Sequence, residues 1–152
     1  MKTSHFNNNN DNNRTLREKQ HKANFEFIKD QRIHCLLEGS WFRIVNLKDR
    51  KKARGLMRFC RLSSNMKNLL YADLPFSSNH VPKLSELTER IEISSISTIK
   101  KTPYHSESND ESVFTLVSHD TESLIELGPL NETNYAEWTD GLAILIGQYF
   151  TH

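Results

Sequence analysis

Cysteine is scarce in this chain. There are two, Cys35 and Cys60, with no Cys-x-x-Cys spacing. Both stand in apolar, strand-like runs, so the reading is two buried thiols of an intracellular protein rather than a disulfide framework. Proline is nearly as rare, and Pro75, Pro82, Pro103 and Pro129 form no Pro-x-x-Pro pattern, which leaves no polyproline ligand. No apolar run approaches the ~20 residues of a membrane-spanning helix, and the opening MKTSHFNNNNDNN lacks the apolar centre of a signal peptide, so a soluble, cytoplasmic protein is expected. The histidines are scattered without metal-site spacing, and no metal or cofactor is expected. A Gly-rich phosphate loop, a Ser-His-Asp arrangement and a convergent carboxylate pair are all missing from the text, so an enzyme is not expected.

Charge of one sign is lacking overall, since the net charge is +1, but the sum hides a split. Residues 1 to 76 hold 16 Lys or Arg against 7 Asp or Glu, while residues 77 to 152 hold 4 against 12. The densest basic run, LKDRKKARG at Leu47 to Gly55, carries Lys48, Arg50, Lys51, Lys52 and Arg54 around Asp49. It contains no aromatic residue on which a base could stack, which argues against nucleic acid.

Residues 1 to 13 are dominated by asparagine with one large apolar side chain, Phe6, and are expected to be a disordered tail. From 14 to 34 the text has no Gly or Pro and is rich in Arg, Lys, Glu and Gln, which predicts a helix with a narrow apolar stripe through Leu16, Phe25, Ile28 and Ile33. Residues 35 to 150 then read as one domain. CLLEGSWFRIVN predicts a first strand, LMRFCRLS a second and LLYADL a third, followed by a short helical piece KLSELTER and a fourth strand within IEISSISTIK. TPYHSESNDES reads as a flexible loop, VFTLVS and SLIELG as a late hairpin, and a seventh strand has no obvious place. The last element is the clearest. NYAEWTDGLAILIGQYF places Trp138, Leu142, Leu145, Ile146 and Tyr149 on one face of a helix, with Asn134 and Glu137 spaced as a capping box. The expected fold is mainly β with flanking helices, a seven-stranded orthogonal sandwich or half-open barrel capped by a C-terminal helix and preceded by a helical extension.

Gly39 and Trp41 in the first strand, the basic connection and Trp138 in the closing helix give this plan the look of a pleckstrin homology (PH) domain. LLEGSWFR, FCRLSSNMKNLLYADL, ISTIK and WTDGLAILIG resemble the PH domain of the engulfment and cell motility (ELMO) family, and FIKDQRIHCLLEG resembles the helix that leads into it. The similarity covers about residues 20 to 148. It implies a non-catalytic adaptor, the C-terminal part of a protein that pairs with a Dock-type exchange factor to activate Rac-type GTPases in actin remodelling, motility and engulfment, recruited with it to the plasma membrane. In that family the helix before the PH domain and the domain itself pack against the Dock N-terminal region. The resemblance implies a second contact in that family, through a proline-rich tail, and the four prolines of these 152 residues supply no Pro-x-x-Pro segment for it.

Two surfaces are therefore candidates. For partner binding they are Leu16, Phe25, Ile28 and Ile33 on the first helix, since a lone helix is marginal in water and its apolar stripe needs cover. For weak attraction to an anionic membrane, or as the alternative function, phosphoinositide binding, they are Arg43, Lys48, Arg50, Lys51, Lys52, Arg54 and Arg58. The resemblance to lipid-binding PH domains places a basic residue at the end of the first strand, Arg43, and a Lys-x-Arg pair at the start of the second, where Leu56 stands in the middle and Arg58 last. A leucine donates nothing to a phosphate, so this clamp is incomplete. Trp41, Trp138, Leu142 and Leu145 are expected in the core, Trp138 because a Trp on the apolar face of a capping helix buries a large area.

Overall fold

The computed structural model describes residues 2–45, 54–102 and 112–149, and side chains from Thr15 onward. It divides into two units, residues 1–31 and 32–152. The first helix, α1 (Lys2–Glu38), crosses that division. It takes in the Asn-rich stretch that composition assigns to a disordered tail, and it runs four residues beyond His34, because no Gly or Pro interrupts the sequence before Gly39. Gly39 stops it at φ +88, its N–H donating to the Cys35 carbonyl at 3.1 Å. Only glycine fits there, since a Cβ would sit 2.6 Å from the Phe59 ring and 2.9 Å from the Cys60 carbonyl. The expected strand from Cys35 is thus corrected. Cys35, Leu36 and Leu37 are helical, and the strand is short, because a brief apolar run reads equally well in either period.

Within the second unit, β1 (Ser40–Arg43), β2 (Leu56–Leu62), β3 (Asn68–Pro75), β4 (Glu89–Glu92), β5 (Ile96–Lys101), β6 (Phe114–Ser118) and β7 (Ser123–Pro129) form one antiparallel sheet in the order β4-β3-β2-β1-β7-β6-β5. Strand β7 joins the halves, pairing with β1 through Phe42–Pro129 and Arg43–Gly128 and with β6 along its length. The strand that the sequence left unplaced lies inside IEISSISTIK. That stretch turns once in a 3-10 helix at Ile93–Ser95, where Ser95 Oγ donates to the Glu92 carbonyl at 2.6 Å, and so ends β4 and begins β5. KLSELTER forms a single 3-10 turn, Leu84–Glu86, before entering β4.

Side chains alternate along β2, so Cys60 and Leu62 enter the main core while Phe59 points outward. The outward face is covered by the segment after β3, whose Leu87 packs with Phe59 and Ala72 and against Trp41, Leu70 and Leu74. The main core is closed by α2 (Glu132–Leu145), with Trp138 and Leu142 fully buried and Leu145 and Ile146 half-buried against it. Phe42 meets Trp138 edge-on at 5.0 Å and Phe114 at 5.8 Å, and Trp138 Nε1 donates to Ser40 Oγ at 2.9 Å, so the buried indole keeps a partner. The cap of α2 is Asn131 rather than Asn134. Its side chain accepts from the Asn134 N–H at 2.8 Å, one turn earlier than the capping-box spacing suggested. Gly147, at φ +75, ends the helical path before Tyr149.

Candidate functional site

Three places in the fold hold the residues that the sequence singled out. The first is the N-terminal unit. Leu16 and Phe27 are 63% and 73% exposed, whereas Phe25 and Ile28 are half-buried. At ~100° per residue, positions 16 and 27 fall within about 20° of one another, while 25 lies on the opposite side from 16. The stripe expected through Leu16, Phe25 and Ile28 is therefore two faces. Phe27 was missed although its spacing from Leu16, three turns of helix, was available as a signal. Ile33 belongs to the second unit and packs against the main core.

The second place is where the end of α1 meets α2 inside the second unit. Leu36 is fully buried and faces Gly141, where a Cβ would come within 2.7 Å of its Cδ1. Arg32 Nε donates to Asp140 Oδ2 at 3.3 Å, and Cys35 Sγ donates to Glu137 Oε2 at 2.7 Å. Burial, then the hydrogen bond to Glu137 and its charge, push the Cys35 thiol up to about 11. Burial pushes Cys60 up further still. Neither thiol is bonded in a disulfide.

The third place is the expected lipid clamp. Arg58 on β2 stands opposite Asp73 on β3 and grips it with two bonds, Nε to Oδ1 at 2.7 Å and Nη2 to Oδ2 at 3.0 Å. Its guanidinium also lies 5.4 Å from the Tyr71 ring centroid. Burial works against the charge, yet the hydrogen bond and charge of Asp73 hold the Arg58 pKa above the usual arginine value. Arg43 Nη2 donates to the carbonyls of Ser112 at 3.2 Å and Pro129 at 3.4 Å, its side chain lying against Gly128, where a Cβ would be 3.1 Å from its own Cβ. Both arginines are thus engaged within the chain. Arg54 is exposed, and Lys48, Arg50, Lys51 and Lys52 lie outside the described residues, as does TPYHSESNDES apart from its ends. Among the described residues no group of three or more His, Cys, Asp or Glu could hold a metal, and no helix is long and apolar enough to cross a membrane.

Comparison with known proteins agrees with this geometry. The family model described as pleckstrin homology domain matches residues 28–147. The chain is 32% identical over 144 residues to engulfment and cell motility protein 2 of Homo sapiens, covering 88% of this chain and 19% of that protein. It is 29% identical over 143 residues to engulfment and cell motility protein 1 of Homo sapiens, with the same coverage, and 30% identical over 145 residues to engulfment and cell motility protein 3 of Rattus norvegicus, covering 87% and 20%. The chain spans about a fifth of the length of the curated relatives it matches.

Proposed function

This chain belongs to the pleckstrin homology family, with similarity over most of its length to the PH domain of the engulfment and cell motility proteins, and we propose from that premise that it is a non-catalytic interaction module. In this reading it binds the N-terminal region of a Dock-type exchange factor through the first helix and so promotes Rac activation and actin remodelling in motility and engulfment. Its place is the cytoplasm, with recruitment to the plasma membrane as part of the complex. The observation that carries the reading is the exposure of Leu16 and Phe27 on one side of α1. Two large apolar side chains held in water on one helix side form the kind of face that an amphipathic partner helix covers, and burying each stabilises a complex by ~1.5–3 kcal/mol.

The reading that this is a phosphoinositide-targeting domain has less support, because Arg58 is neutralised by Asp73 and Arg43 is turned to backbone carbonyls. What favours a weaker electrostatic attraction is the basic run that includes the exposed Arg54, worth ~1 kcal/mol per residue near an anionic surface.

The test is a pull-down of a Dock N-terminal fragment by the full chain, by Leu16→Asp with Phe27→Asp, and by Phe25→Asp with Ile28→Asp. The first pair should abolish capture while leaving the unfolding midpoint of the domain unchanged. Undiminished capture by both pairs would remove α1 as the binding surface.

A further inference from the structure

A cavity of about 540 Å³ opens on the outer side of the sheet, between the start of β1 and the segment that follows β3. All of its residues belong to the second unit, none preceding Leu37. Its floor is aromatic. Trp41 meets Phe59 at 5.2 Å and Phe76 at 5.3 Å, both edge-on, and Trp41 stays half-buried rather than covered. The segment after β3 lines the cavity with Ser77, Ser78, His80 and the 64% exposed Val81, and Phe76, 47% exposed, adjoins Trp41 outside the lining, so two apolar side chains near the opening stand in water.

One wall carries a cation. Arg61 projects from β2 on the same side as Phe59, and its Nε is buried without a hydrogen-bond partner among the described residues. A buried guanidinium N–H is expensive to leave unmade. The lining also carries one carboxylate, Glu38, which lies 2.9 Å from His34 Nε2.

We propose that this cavity binds a peptide segment of a partner protein in which an acidic side chain lies next to a large apolar one. The carboxylate pairs with the charged guanidinium of Arg61, and the apolar side chain rests on Trp41 against Val81. The volume falls in the range of ~300–1,000 Å³ typical of ligand sites, and a guanidinium–carboxylate pair beside an aromatic floor supplies both orientation and contact area. The site lies apart from the Arg43 and Arg58 positions and from the basic run, and it is addressed to a protein and not to a membrane.

The experiment uses the full 152-residue chain labelled with ¹⁵N, whose two indole N–H signals report Trp41 and Trp138 separately. The probes are an array of twelve-residue peptides that place Phe, Leu or Trp one to four positions from Asp or Glu in a Gly-Ser background. Controls exchange the acid for Gln, the apolar residue for Ser, or the acid for phosphoserine. At least one spacing should shift the Trp41 signal saturably, both residues being required. Arg61→Gln and Val81→Lys should each weaken that peptide about tenfold or more while the Trp138 signal stays in place. The proposal is overturned if no peptide shifts Trp41, if the Gln control binds equally, if only the phosphoserine peptide or inorganic phosphate binds, or if dilution alone moves the signal, which would mark a second copy of this chain as the occupant.

Discussion

Replacing Gly141 by alanine tests how the end of α1 is held on the domain. A glycine inside a helix ordinarily costs about 1 kcal/mol relative to alanine, so at an open position the substitution would stabilise. Here the new Cβ would meet Leu36 Cδ1 at 2.7 Å and Cδ2 at 3.0 Å, well inside the ~3.5–4.0 Å at which carbon atoms attract. Leu36 is fully buried and has no solvent to retreat into, so the overlap costs ~1–3 kcal/mol and outweighs the propensity gain. The expected net result is a loss of up to roughly 2 kcal/mol. Leu36→Ala alone should cost ~2–5 kcal/mol through lost burial and the space left behind. In that background the alanine methyl enters vacated room, and Gly141→Ala should turn stabilising by about 1 kcal/mol. The cycle is read by urea unfolding followed through the fluorescence of Trp41 and Trp138 together, with a change of sign as the signature. A wild-type background in which Gly141→Ala raises the midpoint would refute the reasoning, for it would mean that residues 32–38 do not press on α2.

Asp73→Asn should leave the half-buried Arg58 without its counter-charge and lower stability by roughly 1.5–3 kcal/mol in urea unfolding, while raising cosedimentation with anionic vesicles. Unchanged vesicle binding would show that Arg58 is not reachable by headgroups even when unpaired. Ser40→Ala removes the acceptor of Trp138 Nε1 and should cost ~1–3 kcal/mol, whereas a neutral outcome would mean that another group takes the indole proton. Met66 sits at φ 61 in the β2–β3 turn, so Met66→Gly should raise the unfolding midpoint by about 1 kcal/mol in stability; a loss would point to a role for that exposed side chain. The Cys35 thiol is held protonated to about pH 11 in the fold, against 9.0 when free. Its contribution is full below pH 9 and fades as the pH rises towards 11, so chemical-denaturation stability should fall across that window, and Glu137→Gln should reduce the fall.

The sequence revealed most where one period ran long enough to exclude others. The closing helix was legible because Trp138, Leu142 and Leu145 repeat over two turns, and β2, β3 and the late hairpin because their alternation is bounded by turn residues. Short runs were ambiguous. CLLE was read as strand and proved helical, because its burial comes from one face meeting Gly141 and its end is set by Gly39, both of which are tertiary facts. IEISSISTIK hid two strands because the break between them is a single turn without glycine or proline.

The candidate sites divide the same way. Charge and spacing located Arg43 and Arg58 and found Leu56 in the clamp, but what the two arginines grip was set by strand register, which puts Arg58 opposite Asp73, fifteen residues on. The cavity beside Trp41 had no linear signal at all, since Trp41, Arg61 and Val81 come from three segments that the sheet brings together. Sequence by itself determined the fold class, the closing helix and the family resemblance, because these rest on local periodicity and on strings of adjacent residues. Tertiary structure decided which charges are spent inside the domain, which apolar groups are left in water and where a pocket opens, because burial and pairing depend on neighbours distant in the chain.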